Sequence, residues 1–119
     1  MRLYNIAFTY YYYNDYQGKE EADVYLNWVD IPEEVVAKAI LDDHTLAGMD
    51  LASLFKKDTE IYKKLYDEEI EYDKHALTKL FIEHRDDVDK DEIVDTIINR
   101  CWPIDEDVAD ICWKDWLEN

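Results

Sequence analysis

Two stretches decide how this chain folds: Leu3-Tyr4-Asn5-Ile6-Ala7-Phe8-Thr9-Tyr10-Tyr11-Tyr12-Tyr13 and Glu20-Glu21-Ala22-Asp23-Val24-Tyr25-Leu26-Asn27-Trp28-Val29. Both repeat with a period of two. In the first, Tyr4, Ile6, Phe8, Tyr10 and Tyr12 share one face, and Asn5, Ala7, Thr9, Tyr11 and Tyr13 share the other. In the second, Ala22, Val24, Leu26 and Trp28 oppose Glu21, Asp23, Tyr25 and Asn27. Successive strand side chains point to opposite faces, so each stretch predicts a strand, and the polar connection Asn14-Asp15-Tyr16-Gln17-Gly18-Lys19 predicts a hairpin. A lone hairpin is marginal in water, so the remaining residues are expected to cover its apolar face.

Those residues read as helices. Asp30-Ile31-Pro32-Glu33 has the form of a capped helix start, with Val35, Val36, Ala39 and Ile40 recurring at helical spacing up to about Leu41. Gly48 is expected to end a turn before Asp50 caps a short helix carrying Leu51, Leu54 and Phe55. From Asp58 an amphipathic helix buries Ile61, Tyr62, Leu65, Tyr66 and Ile70. Asp73, Asp89 and Asp105 are expected to cap three further helices, built on Leu77, Leu80 and Phe81, on Ile93, Val94 and Ile97, and on Val108, Ile111, Cys112 and Trp116, with the helices on either side of Asp73 read as two or as one bent helix. Trp102-Pro103 stops the second of these. The expected class is α+β: an N-terminal antiparallel hairpin or small sheet, residues 1–29, packed against about five helices of an acidic helical part, residues 30–119, in one domain. Two glycines and two prolines leave little room for long loops or a phosphate-cradling glycine loop.

Composition narrows the function classes. Thirty Asp and Glu stand against thirteen Lys and Arg, a formal net charge of -17, while 48 % of residues are hydrophobic, far too many for a disordered acidic chain. Such a charge opposes binding to nucleic acid or anionic membrane, and its natural partner is basic. No apolar stretch approaches the roughly twenty residues that span a bilayer. Met1-Arg2-Leu3-Tyr4-Asn5 enters the first strand without a signal peptide's apolar run, and Cys101 and Cys112 are expected to be buried thiols, so a cytoplasmic location is expected.

No residue pattern predicts an enzyme, a cofactor or a metal. Asp87, Asp89 and Asp91 have the alternate spacing that opens a calcium loop, but Glu92 stands where that loop needs glycine and Ile98 where it needs glutamate. A capped helix start accounts for them. His44, His75 and His84 make no helical pair of metal ligands, Cys101 falls on an apolar stripe, and Ser53, the only serine, lies in no nucleophile turn.

Two excesses remain. Between Asp67 and Glu118 there are eighteen acids against six bases, a net of -12, whereas solubility needs a magnitude of only about 2 to 8. Tyrosine occurs ten times, and the run Tyr10-Tyr11-Tyr12-Tyr13 must send two rings to each face. Tyr11 and Tyr13 therefore either form an exposed patch or pair across strands beneath further cover. Tyrosine is enriched at interface hot spots. The candidate partner-binding residues are accordingly Tyr11, Tyr13, Tyr16, Asp67, Glu68, Glu71, Asp87, Asp91, Asp107 and Asp110. In composition the chain resembles the small acidic phage proteins that block restriction or CRISPR nucleases, and the immunity proteins that neutralise nuclease toxins. That resemblance implies an inhibitor whose carboxylates stand where phosphates would lie on a basic nucleic-acid-binding partner such as a nuclease. A non-inhibitory acidic adaptor is the competing expectation, and the oligomeric state is left open.

Overall fold

A computed structural model describes residues 1–119 apart from Gln17, Trp102 and Asn119, with only the backbone of Asn14. The alternating stretches form β1 (Arg2–Asn14) and β2 (Gly18–Asp30), paired antiparallel from Arg2↔Asp30 to Asn14↔Gly18. Thirteen residues each, they make a ribbon about 43 Å long at 3.3 Å per residue. Gly18 closes the turn with φ +82°, a conformation that side-chain-bearing residues rarely adopt. The ribbon stretches the molecule: its extents are 53 × 26 × 20 Å and its radius of gyration is 15.4 Å. A compact domain of this length would have about 13.5 Å.

One departure from strict alternation matters for everything that follows. Asn5 has φ +56°, and it and Asn27 are skipped in a register that otherwise continues on either side of them. Asparagine tolerates the left-handed region better than most residues. Each strand thereby gains one residue, and both change face together. Ile6, Val24 and Leu26 point inward as expected, but beyond the step it is Leu3 and Val29 that are buried, while Tyr4 and Trp28 are exposed. The expected inward placement of Tyr4 and Trp28 is therefore corrected.

Six α-helices follow among the described residues: α1 (Glu33–Leu41), α2 (Gly48–Leu51), α3 (Glu60–Tyr66), α4 (Lys74–Glu83), α5 (Lys90–Asp95) and α6 (Glu106–Glu118). A second antiparallel pair, β3 (Leu46–Ala47) with β4 (Glu71–Tyr72), forms a sheet of its own, β3 lying between α1 and α2 and β4 between α3 and α4. The fold is α+β, and the acidic part contains this small sheet as well as helices. Three expected caps form through the local carboxylate-to-amide bond: Asp73 accepts from the Ala76 N–H at 2.9 Å, Asp89 from Glu92 at 3.1 Å, and Asp105 from Asp107 at 2.9 Å. Asp30 does not cap α1; it pairs with Arg2 across the ribbon at 3.1 Å, which holds its carboxyl below the usual range. The helix expected from Asp58 begins at Glu60, with Thr59 as its cap. Gly48 begins α2 rather than ending a turn, so Asp50 lies inside that helix and does not cap it; glycine fits at 48 because a Cβ there would lie 3.0 Å from Glu68 Cβ and 3.1 Å from the Glu68 carbonyl oxygen. Tyr66, Ile70 and Trp116, expected inside, are exposed.

The core is one cluster. Leu3, Ile6, Val24, Leu26 and Val29 from the ribbon meet Val36 and Ala39 of α1, Leu77 and Phe81 of α4, Ile93 of α5, and Val108 and Cys112 of α6. Phe55, in an isolated bridge with Val88, stacks obliquely on Phe81 at 6.0 Å and joins Leu51, Ile61 and Leu65 to this core. After α5 a wide π turn, Thr96–Arg100, is closed by the Cys101 N–H donating to the Thr96 carbonyl at 2.9 Å. The expected stop at Trp102 lies outside the described residues.

Candidate interaction surface

The ribbon has an inner face that helices cover and an outer face that they leave open. On the inner face, Trp113 of α6 stacks on Tyr10 with centroids 4.6 Å apart and lies 5.3 Å from Tyr12 and 5.4 Å from Trp116. Tyr10 donates its hydroxyl to Asp110 at 3.2 Å, and Tyr12 to Glu20 at 2.8 Å. Burial first and Asp110 second raise the Tyr10 pKa; for Tyr12 the Glu20 bond is the main cause.

The outer face carries Tyr4, Tyr11, Tyr13, Tyr25 and Trp28, all exposed, with Tyr16 in the turn. Tyr11 is 50 % exposed, Tyr13 75 % and Tyr16 97 %. Tyr4 and Trp28 are direct cross-strand partners, so the aromatic row runs the length of the ribbon. A monomeric surface rarely leaves so many large rings together in water. Cations from the chain itself already lie on three of them: the Arg2 guanidinium is 4.0 Å from the Trp28 ring centroid, Lys19 5.2 Å from Tyr11, and Lys90 5.9 Å from Tyr4. Each geometry is within the reach of cation–π attraction. Between the rings the face is close to neutral, with Arg2 and Lys19 against Glu21, Asp23 and Asp30.

The candidate acids do not converge with the tyrosines. Asp67, Glu68 and Glu71 form one group at the corner between α3 and β4. Asp67 and Glu71 are exposed there, and Glu71 accepts a hydrogen bond from the Thr45 hydroxyl. Glu68 is half-buried, and its Oε2 has no hydrogen-bond partner; the nearby Tyr72 hydroxyl is raised in pKa by burial first and by Glu68 second. Asp87 and Asp91 lie on either side of the α5 cap, Asp87 3.9 Å from His84 and Asp91 exposed. Asp107 and Asp110 lie on α6, where both are engaged. Asp107 takes the Lys38 ammonium at 2.9 Å, and Asp110 is half-buried under Tyr10. As candidate partner-binding acids on the polar side of their helix, both are expected to face solvent; Asp107 is exposed, but Asp110 is not, and its bond to Tyr10 helps seat α6 on the ribbon.

Sequence reasoning missed Tyr4 and Trp28 as surface residues. The signal that could have found them is Asn5 opposite Asn27, two strand-poor residues in matching positions. Cys101 and Cys112 are free thiols; Cys112 is buried as expected, whereas Cys101 at the end of the π turn is only half-buried, and desolvation raises both, Cys112 being pushed up to about 12. Among the described residues, no three His, Cys, Asp or Glu side chains are grouped to hold a metal ion, and no helix is long and apolar enough to cross a membrane. No family model, no curated protein and no solved structure matches this chain.

Proposed function

We propose that this protein binds another macromolecule through the outer face of its ribbon, and that the partner is a basic protein that handles nucleic acid. The observation that carries the reading is the uncovered row of rings on the outer face, with chain cations stacked on three of them. Rigid aromatic side chains supply large contact area at low entropic cost, which is why they dominate interface hot spots. The charge then selects the partner. Duplex DNA as long as the 53 Å molecular axis would carry roughly 31 phosphate charges, at one per 1.7 Å. This chain carries thirty carboxylates and a net of -17. Its acids could therefore satisfy the Lys and Arg that such a partner holds for nucleic acid, making the protein an inhibitor by mimicry, as an anti-restriction, anti-CRISPR or immunity protein would be.

The near-neutral character of the ring-bearing face favours a second reading, an adaptor held by aromatic contacts alone. One experiment separates the two. The tagged protein is used to capture its partner, and the partner's nucleic-acid binding is measured with and without it at low salt and well above the 0.15 M screening range. Mimicry requires displacement of nucleic acid and affinity that falls as salt rises. A ternary complex with salt-indifferent affinity would replace it by the adaptor reading.

A further inference from the structure

A two-stranded sheet has two edges, and one edge of β2 opens into a trough of about 760 Å³. Its lining includes Tyr25, Leu26, Asn27 and Trp28 in unbroken sequence. Tyr25 and Trp28 point outward and Leu26 inward, on either side of the step at Asn27, so a space touched by all of them lies against the backbone edge and not over either face. Asp115, Trp116 and Leu117, in the last two turns of α6, form the opposite wall. Tyr25, Trp28, Trp116 and Leu117 are all exposed there, and among the described residues no strand pairs with β2 on that side. Natural edges are commonly blunted by proline, inward charge or edge lysines. The segment Ala22–Val29 has neither proline nor a basic residue, and its one interruption is the step at Asn27.

We propose that this trough receives an extended, Arg- or Lys-bearing segment of a partner protein, added as a third strand along β2. Backbone N–H and C=O groups of the edge would supply affinity, and the alternate side chains of the guest would meet Tyr25 and Trp28 on one face and Trp116 on the other. Charge chooses the guest. Among the described residues the trough's lining holds the Asp115 carboxylate and the Tyr25 phenol but no base, and the chain's own Arg2, 4.0 Å from the Trp28 ring centroid, shows the kind of group that ring attracts. A second copy of this chain would bring another -17 to the contact, which disfavours self-pairing. The proposal takes the basic character of the partner from the function proposed above, but does not require that the partner bind nucleic acid.

The test uses the full chain and a capped peptide of about ten residues alternating Arg and Val, a strand-forming length and pattern. Two controls accompany it: the same peptide N-methylated at alternate backbone nitrogens, which keeps the charge but cannot pair, and a Glu and Val version. The expected result is that the unmodified peptide shifts the amide resonances of Tyr25–Trp28 and binds at least about tenfold tighter than its methylated form. Trp116→Ala combined with Tyr25→Thr should abolish that preference while the far-ultraviolet circular dichroism and a cooperative melt are kept; the near-ultraviolet signal changes because Trp116 also stacks on Trp113. Equal affinity of the two basic peptides, no binding, or shifts confined to acids outside the trough, such as Asp67, Glu71 and Asp91, would overturn the proposal. So would a dimer at high salt that uses the same amides, which would assign the trough to a second copy. A seated peptide with a partner that keeps its nucleic acid would sink mimicry alone, and displacement of nucleic acid without strand addition would sink this inference alone.

Discussion

Replacing Trp113 by alanine tests how the helical half holds the ribbon. Trp113 is the meeting point of Tyr10, Tyr12 and Trp116, all with centroids within 5.4 Å. Removing a core tryptophan costs about 3–5 kcal/mol, and each aromatic pair contributes roughly 0.5–1.5 kcal/mol beyond buried area. Trp113 is only half-buried, which lowers the first figure, but it closes three pairs. A loss of about 3 kcal/mol is the expected outcome, a large share of the roughly 5–15 kcal/mol that stabilises a domain. At a urea slope of about 2 kcal/mol per molar, the midpoint should fall by roughly 1.5 M. The near-ultraviolet dichroism of the stacked rings should collapse, and Trp113→Phe, which keeps a ring in place, should lose no more than about half as much. Tyr10→Phe isolates the Asp110 bond and should cost about 1 kcal/mol. An alanine variant within about 1 kcal/mol of the parent, with its ring dichroism unchanged, would refute the view that this stack docks α6.

Other outcomes follow from the same geometry. Phe8→Asp or Leu26→Asp places an unpaired charge against the inner face and should unfold the protein, which a cooperative thermal melt at the parental midpoint would contradict. Gly48→Ala must push Glu68 aside and should destabilise by about 1–3 kcal/mol in chemical denaturation, whereas Gly18→Ala is penalised only by its positive φ, by about 1–2 kcal/mol. The raised pKa values of Tyr10, Tyr12 and Lys38 predict an alkaline limb. Their folded forms hold the proton more tightly, so this stability is complete below about pH 10 and is lost as pH rises through the raised values, read by tyrosinate absorbance and unfolding together. With its pKa near 12, Cys112 should resist thiol reagents until the chain opens, while half-buried Cys101 reacts from the native state; equal rates under native conditions would contradict the burial.

Much of this fold was legible because it is locally determined. Asp73, Asp89 and Asp105 cap their helices through bonds only two or three residues long, so pattern and structure agree there. The inward set Ile6, Phe8, Val24 and Leu26 was equally readable from period two. Apart from Tyr4 and Trp28, whose faces turn on the neighbouring Asn5 and Asn27, the misses depend on something distant in sequence. The exposure of Tyr66 and Ile70 depends on β4 pairing with β3, which turns the chain away before a longer helix can bury them. Gly48 owes its place to the Glu68 backbone, twenty residues on. The acids of the candidate surface were visible as a total charge, but which of them are engaged was not. Asp107 and Asp110 are tied to Lys38 and Tyr10, residues that only the tertiary fold brings to α6.

The step at Asn5 and Asn27 has a consequence for how this ribbon tolerates editing. Remove both residues on paper and the strands read Leu3, Tyr4, Ile6, Ala7, Phe8 and Val24, Tyr25, Leu26, Trp28, Val29, in which every inward and outward position keeps the face it has now. The two asparagines behave as a matched insertion, one per strand, that leaves the rest of the register untouched. Deleting both should therefore shorten the ribbon by one rung and leave a folded protein. Deleting either alone would shift one strand against the other and turn its remaining side chains to the wrong face. Length in this ribbon can change only in pairs.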